Sequence, residues 1–481
     1  MLPTPGAHIY GQKLVDLLGT WHGASRPSSQ LLAEGVRQLV LDGRLPPGTR
    51  LPAERELAAA LDVSRTLVAR AIERLREDDF VASRRGAGSW VKLPDSRRGN
   101  EMHGGWFPSN DPGVINLAQA TPGAPPEMRA AVERAQVRLA EQLGDHGYQP
   151  HGLPALRTRI AERYTARGLP TNPEQILVTN GAQHAFALVL RTLVAPGERV
   201  LVEHPTYPNA VEALRGHGVT PVAVPMTDDG WDLELLNATL RQTAPRLAYL
   251  IPDFHNPTGV RLDAEGRSRL ATALARTCTN AVIDETLIDI DLTGEEPPPP
   301  MASFTERAIT IGSAGKSFWG GLRLGWIRAG EEFVQRLVLG RAAVDLGTPV
   351  LEQLVLAELL DDAEPVLARR REETRQRLDV LVAALREHLP EWRFRSPDGG
   401  LSLWCDVGEP ISSRLAVAAE AHAVRLAPGA RFSVNGSLER WIRVPYTLPG
   451  ERLVEAIQRL AAAAGSVRPG PAPNPLTVPI A

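Results

Sequence analysis

One lysine stands out in the stretch GSAGKSFWGGLRLGW, residues 312–326. Among 53 Lys and Arg residues the only lysines are Lys13, Lys92 and Lys316, so the chain otherwise uses arginine for positive charge. A guanidinium stays protonated at any workable pH, whereas a primary amine in an apolar site can lose its proton and condense with an aldehyde. Lys316 is therefore predicted to be a Schiff-base lysine. The alternative is a surface lysine without chemistry.

Other residues match what an aldehyde cofactor such as pyridoxal phosphate needs around its ring. The pyridine nitrogen needs an acid that keeps it protonated, because the pyridinium is the electron sink, and Asp284 ends the apolar run AVID. The ring phenolate needs a donor, and Asn256 lies in HNPTG. An aromatic residue can stack on the ring, and Tyr207 lies in EHPTYPN.

The cofactor phosphate and an amino-acid carboxylate need further partners. Backbone N–H groups at a helix N-terminus bind phosphate, and NGAQHAFALVL places Gly181 and Ala182 at such a start. Ser313 and Arg323, before and after the lysine, can add a hydroxyl and a guanidinium. A carboxylate favours a bidentate arginine, and Arg443 in RWIRVPY is the predicted one.

Each of these residues also has an interpretation without chemistry. Asp284 can cap a helix, and NPTG is a common turn. Tyr207 can be a packing residue, and Arg443 can lie on the surface of a strand. Their joint order along the chain and their positions at predicted strand ends favour the cofactor site.

Alternating strand and helix patterns from residue 113 to 465 must position these residues. Short apolar runs that end in small or polar residues predict strands, with helical periodicity between them. We expect an α/β fold with a mostly parallel sheet, its chemistry at the carboxyl ends of the strands, and a smaller C-terminal subdomain after the helical residues 351–390. The runs are QILVTNGAQ, RVLVEHPTY, LAYLIPDFHNPTG, AVIDET and AITIGSAGK.

Residues 1–93 predict a winged helix-turn-helix. A lead-in helix over 10–22 precedes three helical stretches and two short strands around a glycine turn. Ser64 is the predicted N-cap of the third helix, the one that enters the major groove in such folds. Residues 94–112, rich in Pro, Gly and charge, are the predicted linker, and residues 466–481 are a predicted disordered tail.

Polar residues of this N-terminal module are the predicted contacts to DNA. They lie on the second helix, on the start and outer side of the third, and at the wing tip: Arg55, Ser64, Arg65, Thr66, Arg70, Arg84 and Arg85. Arginine pairs with guanine in the major groove, and wing arginines suit phosphate or the minor groove. The module carries 13 Lys and Arg against 10 Asp and Glu, so it is basic and the remainder acidic. The alternative is a solvated, arginine-rich helix.

Composition limits the class of protein. A chain of 481 residues with 43% hydrophobic and 23% charged residues indicates a multidomain globular protein. It has neither an apolar run of membrane length nor the N-terminal pattern of a signal peptide. Cys278 and Cys405 provide no disulfide framework and no metal cluster. We expect a cytoplasmic protein without a metal site.

The order of parts in the N-terminal module resembles the GntR family of winged-helix regulators. The matching residues are Gly43, Leu45, Pro47, Gly48, Leu51, Pro52, Arg55, Leu57 and Ala58. Three positions depart from the family pattern: Ala53 replaces Ser, Asp62 replaces Gly and Leu67 replaces Thr. The two lost hydroxyls remove phosphate contacts that the resemblance would imply.

The body resembles the fold type I aminotransferases, subgroup I, and the whole chain resembles the MocR family of transcriptional regulators. The resemblance implies pyridoxal phosphate held by Lys316 as an aldimine, a head-to-tail homodimer, and double-stranded operator DNA as partner. It also implies that Tyr148 reaches the cofactor phosphate in the partner subunit. The family's tyrosine shortly after the aspartate is replaced here by Thr286 and Leu287. We infer that transamination is poor while cofactor binding is retained.

Three functions remain open at this point. The first is a regulator whose body senses an amine, an amino acid or a vitamin B6 vitamer through Lys316. The second is an active aminotransferase with an accessory DNA-binding domain. The third is a regulator that has lost the cofactor and keeps the fold as a dimer scaffold. The presence of both modules in one chain favours the first.

Overall fold

The computed structural model describes residues 8–19, 21, 28–41, 44–46, 48–78, 80–84, 88–92 and 113–467. These residues form an N-terminal winged module and a larger α/β body. The predicted linker, residues 94–112, lies outside the described residues, as do residues 468–481 of the predicted tail.

Helices and a two-stranded hairpin form the winged module. They are α1 (Gly11–Leu18), α2 (Ser29–Leu41), α3 (Glu54–Leu61), α4 (Arg65–Glu77), β1 (Val81–Arg84) and β2 (Gly88–Val91). Ser64 caps α4, because its hydroxyl accepts a hydrogen bond from the backbone N–H of Leu67 at 3.2 Å. Apolar residues at helical spacing, among them Leu14, Val68 and Leu75, pack into one buried core. The predicted winged helix-turn-helix is confirmed.

The body contains a large and a small sheet. Its strands are β3 (Ile115–Asn116), β4 (Ile176–Thr179), β5 (Arg199–His204), β6 (Thr220–Thr227), β7 (Gly230–Trp231), β8 (Leu247–Leu250), β9 (Asn280–Asp284), β10 (Ala308–Ser313), β11 (Gly325–Arg328), β12 (Arg393–Phe394), β13 (Ser402–Asp406), β14 (Val424–Arg425), β15 (Ala427–Pro428) and β16 (Trp441–Pro445). All five runs predicted as strands are strands.

Helices cover both faces of the large sheet and complete the small subdomain. They are α5 (Met128–Gln142), α6 (Pro154–Ala166), α7 (Ala182–Leu193), α8 (Pro208–Gly216), α9 (Leu233–Thr243), α10 (Ala264–Thr277), α11 (Glu331–Arg341), α12 (Val350–Leu360), α13 (Ala363–His388), α14 (Ser412–Ala421) and α15 (Gly450–Ser466).

The large sheet has the strand order β4-β11-β10-β9-β8-β5-β6-β7. The pairs from β10 to β6 are parallel, whereas β11 is antiparallel to both of its neighbours and β7 is antiparallel to β6. The central strands β8 and β9 are buried on both faces, which explains their continuous apolar runs. The carboxyl ends of the parallel strands share one edge, and the predicted α/β class is confirmed.

The small subdomain has its own core around the antiparallel sheet β12-β13-β16-β15. Leu403 of the sheet packs with Leu415 and Ile457 of α14 and α15. The helix α13, 26 residues long, contributes Val366 to the core of the large domain and Leu381 to this one. It therefore joins the two parts of the body as one continuous element.

The winged module touches the small subdomain of its own chain. Arg414 Nε of α14 lies 3.7 Å from Glu34 Oε1 of α2, and Gln38 Nε2 of α2 donates to Glu439 Oε1 at 3.5 Å. Both contacts are polar and long, so they hold the module weakly.

Two further structural findings concern the described part of the chain. No helix there has the length and apolar character needed to cross a membrane. No group of three or more His, Cys, Asp or Glu is arranged there to hold a metal ion.

Candidate functional site

Lys316 lies in a π-turn, Gly315–Trp319, just beyond β10. Its side chain is half-buried, and Nζ donates to the carbonyl oxygen of Ala120 at 2.8 Å, with the Thr121 hydroxyl at 3.5 Å. The amine is therefore hydrogen-bonded within the chain, and the Schiff-base role of Lys316 stays a prediction.

The surroundings of Lys316 favour its neutral form. Burial and the nearby Arg443 lower the pKa of Lys316 from 10.5 to about 8, with Asp284 opposing them and Arg323 adding to them. The neutral amine is the nucleophile, so a larger fraction of Lys316 is reactive near neutral pH than for a solvated lysine.

Asp284 is buried at the carboxyl end of β9. Its Oδ2 accepts from the Tyr249 hydroxyl at 2.5 Å, and its Oδ1 accepts from the backbone N–H of Thr286 at 2.9 Å. Burial raises the pKa of Asp284 although these hydrogen bonds oppose the shift. A cation beside this carboxylate would offset the cost of burial, so the site fits a protonated pyridine nitrogen.

Tyr249 is a site residue that the sequence analysis missed. Strand pairing sets Tyr249 opposite Val282, and Asp284, two residues further along β9, faces the same side of the sheet. A buried tyrosine needs a partner for its hydroxyl, which was the available signal. The register that supplies this partner cannot be read from the strand pattern.

The start of α7 forms a cradle of backbone N–H groups. Gly181 precedes Ala182 with φ 88°, and no side chain caps the helix. A Cβ on Gly325 of β11 would lie 2.6 Å from the carbonyl carbon of Gly181 and 2.7 Å from the nitrogen of Ala182. The close approach of two backbones therefore requires glycine, and it keeps side chains out of a site where helix N–H groups can bind a phosphate.

Ser313 and Arg323, the other two residues predicted to bind phosphate, lie beside this cradle. Ser313 is paired in register with Gly325, and its hydroxyl accepts from the backbone N–H of Gly315 at 3.0 Å. Arg323 donates to the carbonyl oxygen of Asn180 at 3.3 Å, and its guanidinium lies 3.3 Å from where a Cβ on Gly181 would be. The four residues predicted to hold phosphate thus meet at one edge of the sheet.

Tyr207 and Asn256 follow two neighbouring strands of that edge. Tyr207 precedes α8, is half-buried, and accepts from Asn209 Nδ2 at 2.9 Å. Burial raises the pKa of Tyr207, and the negative charge of Asp284 acts in the same direction, so the two side chains are close. Asn256 is half-buried in the turn after β8. Leu287, which stands in the sequence where the family resemblance would imply a tyrosine, is half-buried.

Arg443 of β16 is 2% exposed. It donates to the carbonyl oxygen of Ala118, and its guanidinium lies over the Phe432 ring at 5.0 Å from the ring centre. Burial lowers the pKa of Arg443 to about 10. A fixed, buried guanidinium is suited to a carboxylate, and the surface-strand interpretation of Arg443 is wrong.

Five of the seven predicted DNA contacts are exposed on the described part of the winged module. The exposed ones are Arg55, Ser64, Arg65, Thr66 and Arg70. Arg65 Nε lies 3.4 Å from Glu54 Oε2, an exposed pair that contributes little and leaves the guanidinium accessible. Arg84 is the last residue of β1, and Arg85 lies outside the described residues.

Tyr148 lies in the segment between α5 and α6 and is 58% exposed. The backbone of the next residue, Gln149, is packed against Gly347, and Leu346 is 56% exposed. Tyr148 therefore lies on the surface of its own chain, within an area that includes other exposed apolar side chains.

The fold and the residues around Lys316 indicate an aminotransferase-like body that follows a winged DNA-binding module along the chain. Comparisons with known families agree. The family described as aminotransferase class I and II matches residues 112–460. The family described as bacterial regulatory proteins, gntR family, matches residues 29–91. The chain belongs to the class I and II aminotransferase family and carries a GntR-type domain in front of it.

Individual relatives narrow this class to the MocR architecture. The uncharacterized HTH-type transcriptional regulator YdcR of Escherichia coli is 28% identical over 90% of this chain and 97% of its own. The probable rhizopine catabolism regulatory protein MocR of Rhizobium meliloti is 29% identical over 79% and 82%, respectively. LysN, an alpha-aminoadipate aminotransferase from Thermus thermophilus solved in complex with N-(5'-phosphopyridoxyl)-L-leucine, matches with a TM-score of 0.68 and 31% identity over 74% of this chain and 92% of that chain. The predicted MocR architecture is confirmed.

Proposed function

We propose that the protein is a cytoplasmic transcriptional regulator that binds double-stranded operator DNA and carries pyridoxal phosphate at Lys316. Its body would sense a small amine, an amino acid or a vitamin B6 vitamer. The observation that carries the proposal is a GntR-type module joined to a body in which the charges of Arg443, Asp284 and Arg323 all act on the amine of Lys316.

The residues of the site have complementary roles in this proposal. Pyridoxal phosphate, when bound, supplies an aldehyde that bonds reversibly to primary amines. Asp284 would accept the hydrogen bond of the protonated pyridine nitrogen, Tyr207 would stack on the ring, and Asn256 would donate to the phenolate. Lys316 provides the amine that retains the cofactor. The phosphate is held by four partners at the start of α7 and beside it: Gly181, Ala182, Ser313 and Arg323.

An effector with a primary amine would compete with Lys316 for the same carbon. A carboxylate on that effector would bind Arg443, which belongs to the small subdomain, while its amine binds in the large domain. Such a ligand favours one arrangement of the two parts, and only a ligand that binds two arrangements unequally can shift them. A change in the body would then alter the spacing of two winged modules in a dimer.

A homodimer is part of the proposal. Tyr148 and Leu346 are more than half exposed, and Val344 is 46% exposed, in neighbouring segments of the body. Exposed apolar side chains grouped in this way favour a protein interface. Within a dimer, Tyr148 would contribute to the phosphate site of the partner subunit.

The direct test of the regulator is DNA binding to the promoter next to the protein's own coding region. We expect sequence-specific binding tighter than micromolar at moderate salt, weakened by Arg70→Ala across all sequences if Arg70 contacts phosphate. An Arg65→Ala variant should relax the sequence preference if Arg65 reads a base. Binding that is equal for promoter and random DNA would exclude the operator function.

An active aminotransferase is the second candidate, favoured by the lowered pKa of Lys316 and the buried Asp284. Leu287 in place of a phenol donor weakens this candidate. The protein would be incubated with amino acids, and conversion of the cofactor to its pyridoxamine form followed by absorbance. Conversion of the cofactor at about 1 per second, an ordinary enzyme rate, would support the enzyme over the regulator.

A further inference from the structure

We propose that Asp289 is a positioning residue for Lys316: with Arg163 it fastens the lysine turn to the segment that carries Asp284. The inference rests on the proposed function, because it concerns how Lys316 is presented to the cofactor. Asp289 touches neither Lys316 nor Asp284 in the hydrogen bonds of the described residues, and it acts through Ser317.

The contacts of Asp289 form a short chain from α6 to the lysine turn. Ser317, the residue after Lys316, is 1% exposed, and its hydroxyl donates to Asp289 Oδ2 at 2.6 Å. The other carboxylate oxygen, Oδ1, accepts from Arg163 of α6 at 2.6 Å. Although burial alone would raise it, Arg163 and the Ser317 hydrogen bond hold the pKa of Asp289 below its usual range. Asp289 is therefore ionised and accepts from both partners.

The segment that carries Asp289 is the one that carries Asp284. Between them, Glu285 is 2% exposed and pairs with Arg167 at 2.9 Å. Arg163 and Arg167 are four residues apart, so they lie on the same side of α6 and its C-terminal end. From there they bind Asp289 and Glu285, respectively. Helix α6 and the residue after it therefore hold the segment 284–289 at two points. This segment contains Asp284, and through Asp289 it also holds the turn that contains Lys316.

The two ion pairs are partly buried, with both arginines about a quarter exposed. Desolvation therefore offsets part of their attraction, and such pairs are weak evidence for a role in stability alone. The hydrogen bonds of Asp289 to Arg163 and Ser317 also fix the direction in which the three side chains approach one another. This favours a positional role for Asp289 over a purely structural one.

The backbone of the lysine turn is held independently from the other side. Arg370 of α13 donates to the carbonyl oxygens of Phe318 at 2.9 Å and Gly123 at 2.7 Å, and lies 3.4 Å from that of Ser317. Loss of the Asp289 contact should therefore leave the turn folded while allowing Lys316 to shift. A misplacement of about 1 Å can slow a reaction by about a hundredfold.

The test compares Asp289→Asn and Ser317→Ala with a matched control, Asp291→Asn. Asp291 lies two residues further along the same segment and pairs with Arg261 at 2.6 Å with similar burial. Cofactor-free full-length protein is mixed with pyridoxal phosphate, and the rate of covalent attachment is followed by absorbance across a range of pH. The melting temperature of each cofactor-free protein is measured in parallel.

We expect Asp289→Asn and Ser317→Ala to slow attachment at least about tenfold relative to Asp291→Asn at each pH, because a displaced amine reacts more slowly whatever its protonation. Their melting temperatures should stay close to that of the control. Ser317→Ala leaves the Asp289–Arg163 pair intact, so it carries the test if Asp289→Asn does not fold. Attachment by both variants at the control rate, or slowing that only tracks lost stability, would overturn the inference. A wild-type protein that attaches no cofactor would overturn the proposed function itself.

Discussion

At the scale of single residues, the chemistry depends on how Lys316 differs from the arginines around it. Arg443 and Arg323 stay charged beside it, and their repulsion adds to burial in making Lys316 easier to deprotonate. The negative charge of Asp284 opposes this lowering of the Lys316 pKa. In the proposed site the same carboxylate would pair with the pyridine nitrogen of the cofactor. Replacing Lys316 by arginine would keep the positive charge and remove the reactive amine.

The lowered pKa of Lys316 predicts a specific pH profile for cofactor attachment. Since only the neutral amine reacts, the rate should rise about tenfold per pH unit below the pKa of about 8 and level off above it. Stopped-flow absorbance from about pH 6 to pH 10 measures this profile. A rate that still rises about tenfold per pH unit at the upper end of this range, as expected for the ordinary lysine pKa of 10.5, would contradict the assignment.

Arg443 should distinguish effectors that have a carboxylate from those that lack one. Arg443→Met should weaken binding of an amino acid by about 10- to 100-fold, since a hydrogen bond to a charged group contributes about 1.5–3 kcal/mol. Binding of the matching amine without a carboxylate should change little. The variant should also raise the pKa of Lys316, so the titrations are compared above the new break in the pH profile.

The control for Arg443 is Arg440→Met. Arg440 lies just before β16 and is exposed, and it pairs with Asp406 at 2.9 Å. We expect this variant to bind both classes of effector as wild type does. Equal losses for the amino acid and the amine in Arg443→Met would show that the residue maintains the fold and does not recognise the carboxylate.

At the scale of elements, patterns that depend on one segment were predictable and pairings between segments were not. The apolar runs of β4, β5, β8, β9 and β10 and the Ser64 cap could be predicted, because burial on both faces and a local hydrogen bond leave a sequence signal. The hydroxyl of Tyr249 on Asp284 depends on the register of β8 and β9. The hydrogen bond from Ser317 to Asp289 depends on how two separate loops pack together. Neither contact could therefore be predicted from the sequence.

The turn between α3 and α4 gives a prediction for the winged module. Asp62 has φ 52° and ψ 45°, a left-handed conformation that glycine adopts without a Cβ penalty. Asp62→Gly should therefore stabilise the winged module by up to about 1 kcal/mol. Ala59→Gly, in the exposed interior of α3, should destabilise it by about 0.5–1 kcal/mol. Thermal unfolding of the two variants measures both; a destabilised Asp62→Gly protein would show that the Asp62 side chain makes a needed contact.

At the scale of the whole molecule, the described residues include long polar contacts between the winged module and its own body. The Glu34–Arg414 pair spans 3.7 Å and both side chains are partly exposed, so it contributes at most about 1 kcal/mol. Breaking this pair therefore costs little free energy, which agrees with the proposed control of the DNA-binding modules by the body.

Hybrid dimers test whether Tyr148 works in the partner subunit. A Lys316→Ala chain and a Tyr148→Ala chain are mixed, unfolded and refolded together, so that hybrids form. If Tyr148 contributes across the dimer, each hybrid has one intact site, which contains the lysine of one chain and the tyrosine of the other. Phosphate-dependent cofactor retention at wild-type affinity should then return in half of the hybrid sites. If retention never exceeds that of the Tyr148→Ala homodimer, Tyr148 acts within its own chain or not at all.

The central claim is that Lys316 holds an aldehyde cofactor, and one measurement tests it most directly. Purified protein is saturated with pyridoxal phosphate, reduced with borohydride and digested, and the labelled peptide is identified by mass. The alternatives are few, because Lys13 and Lys92 are the only other lysine side chains. We expect the adduct on the peptide that contains Lys316, and none in Lys316→Ala. The absence of an adduct, or an adduct only at Lys13 or Lys92, would contradict the account.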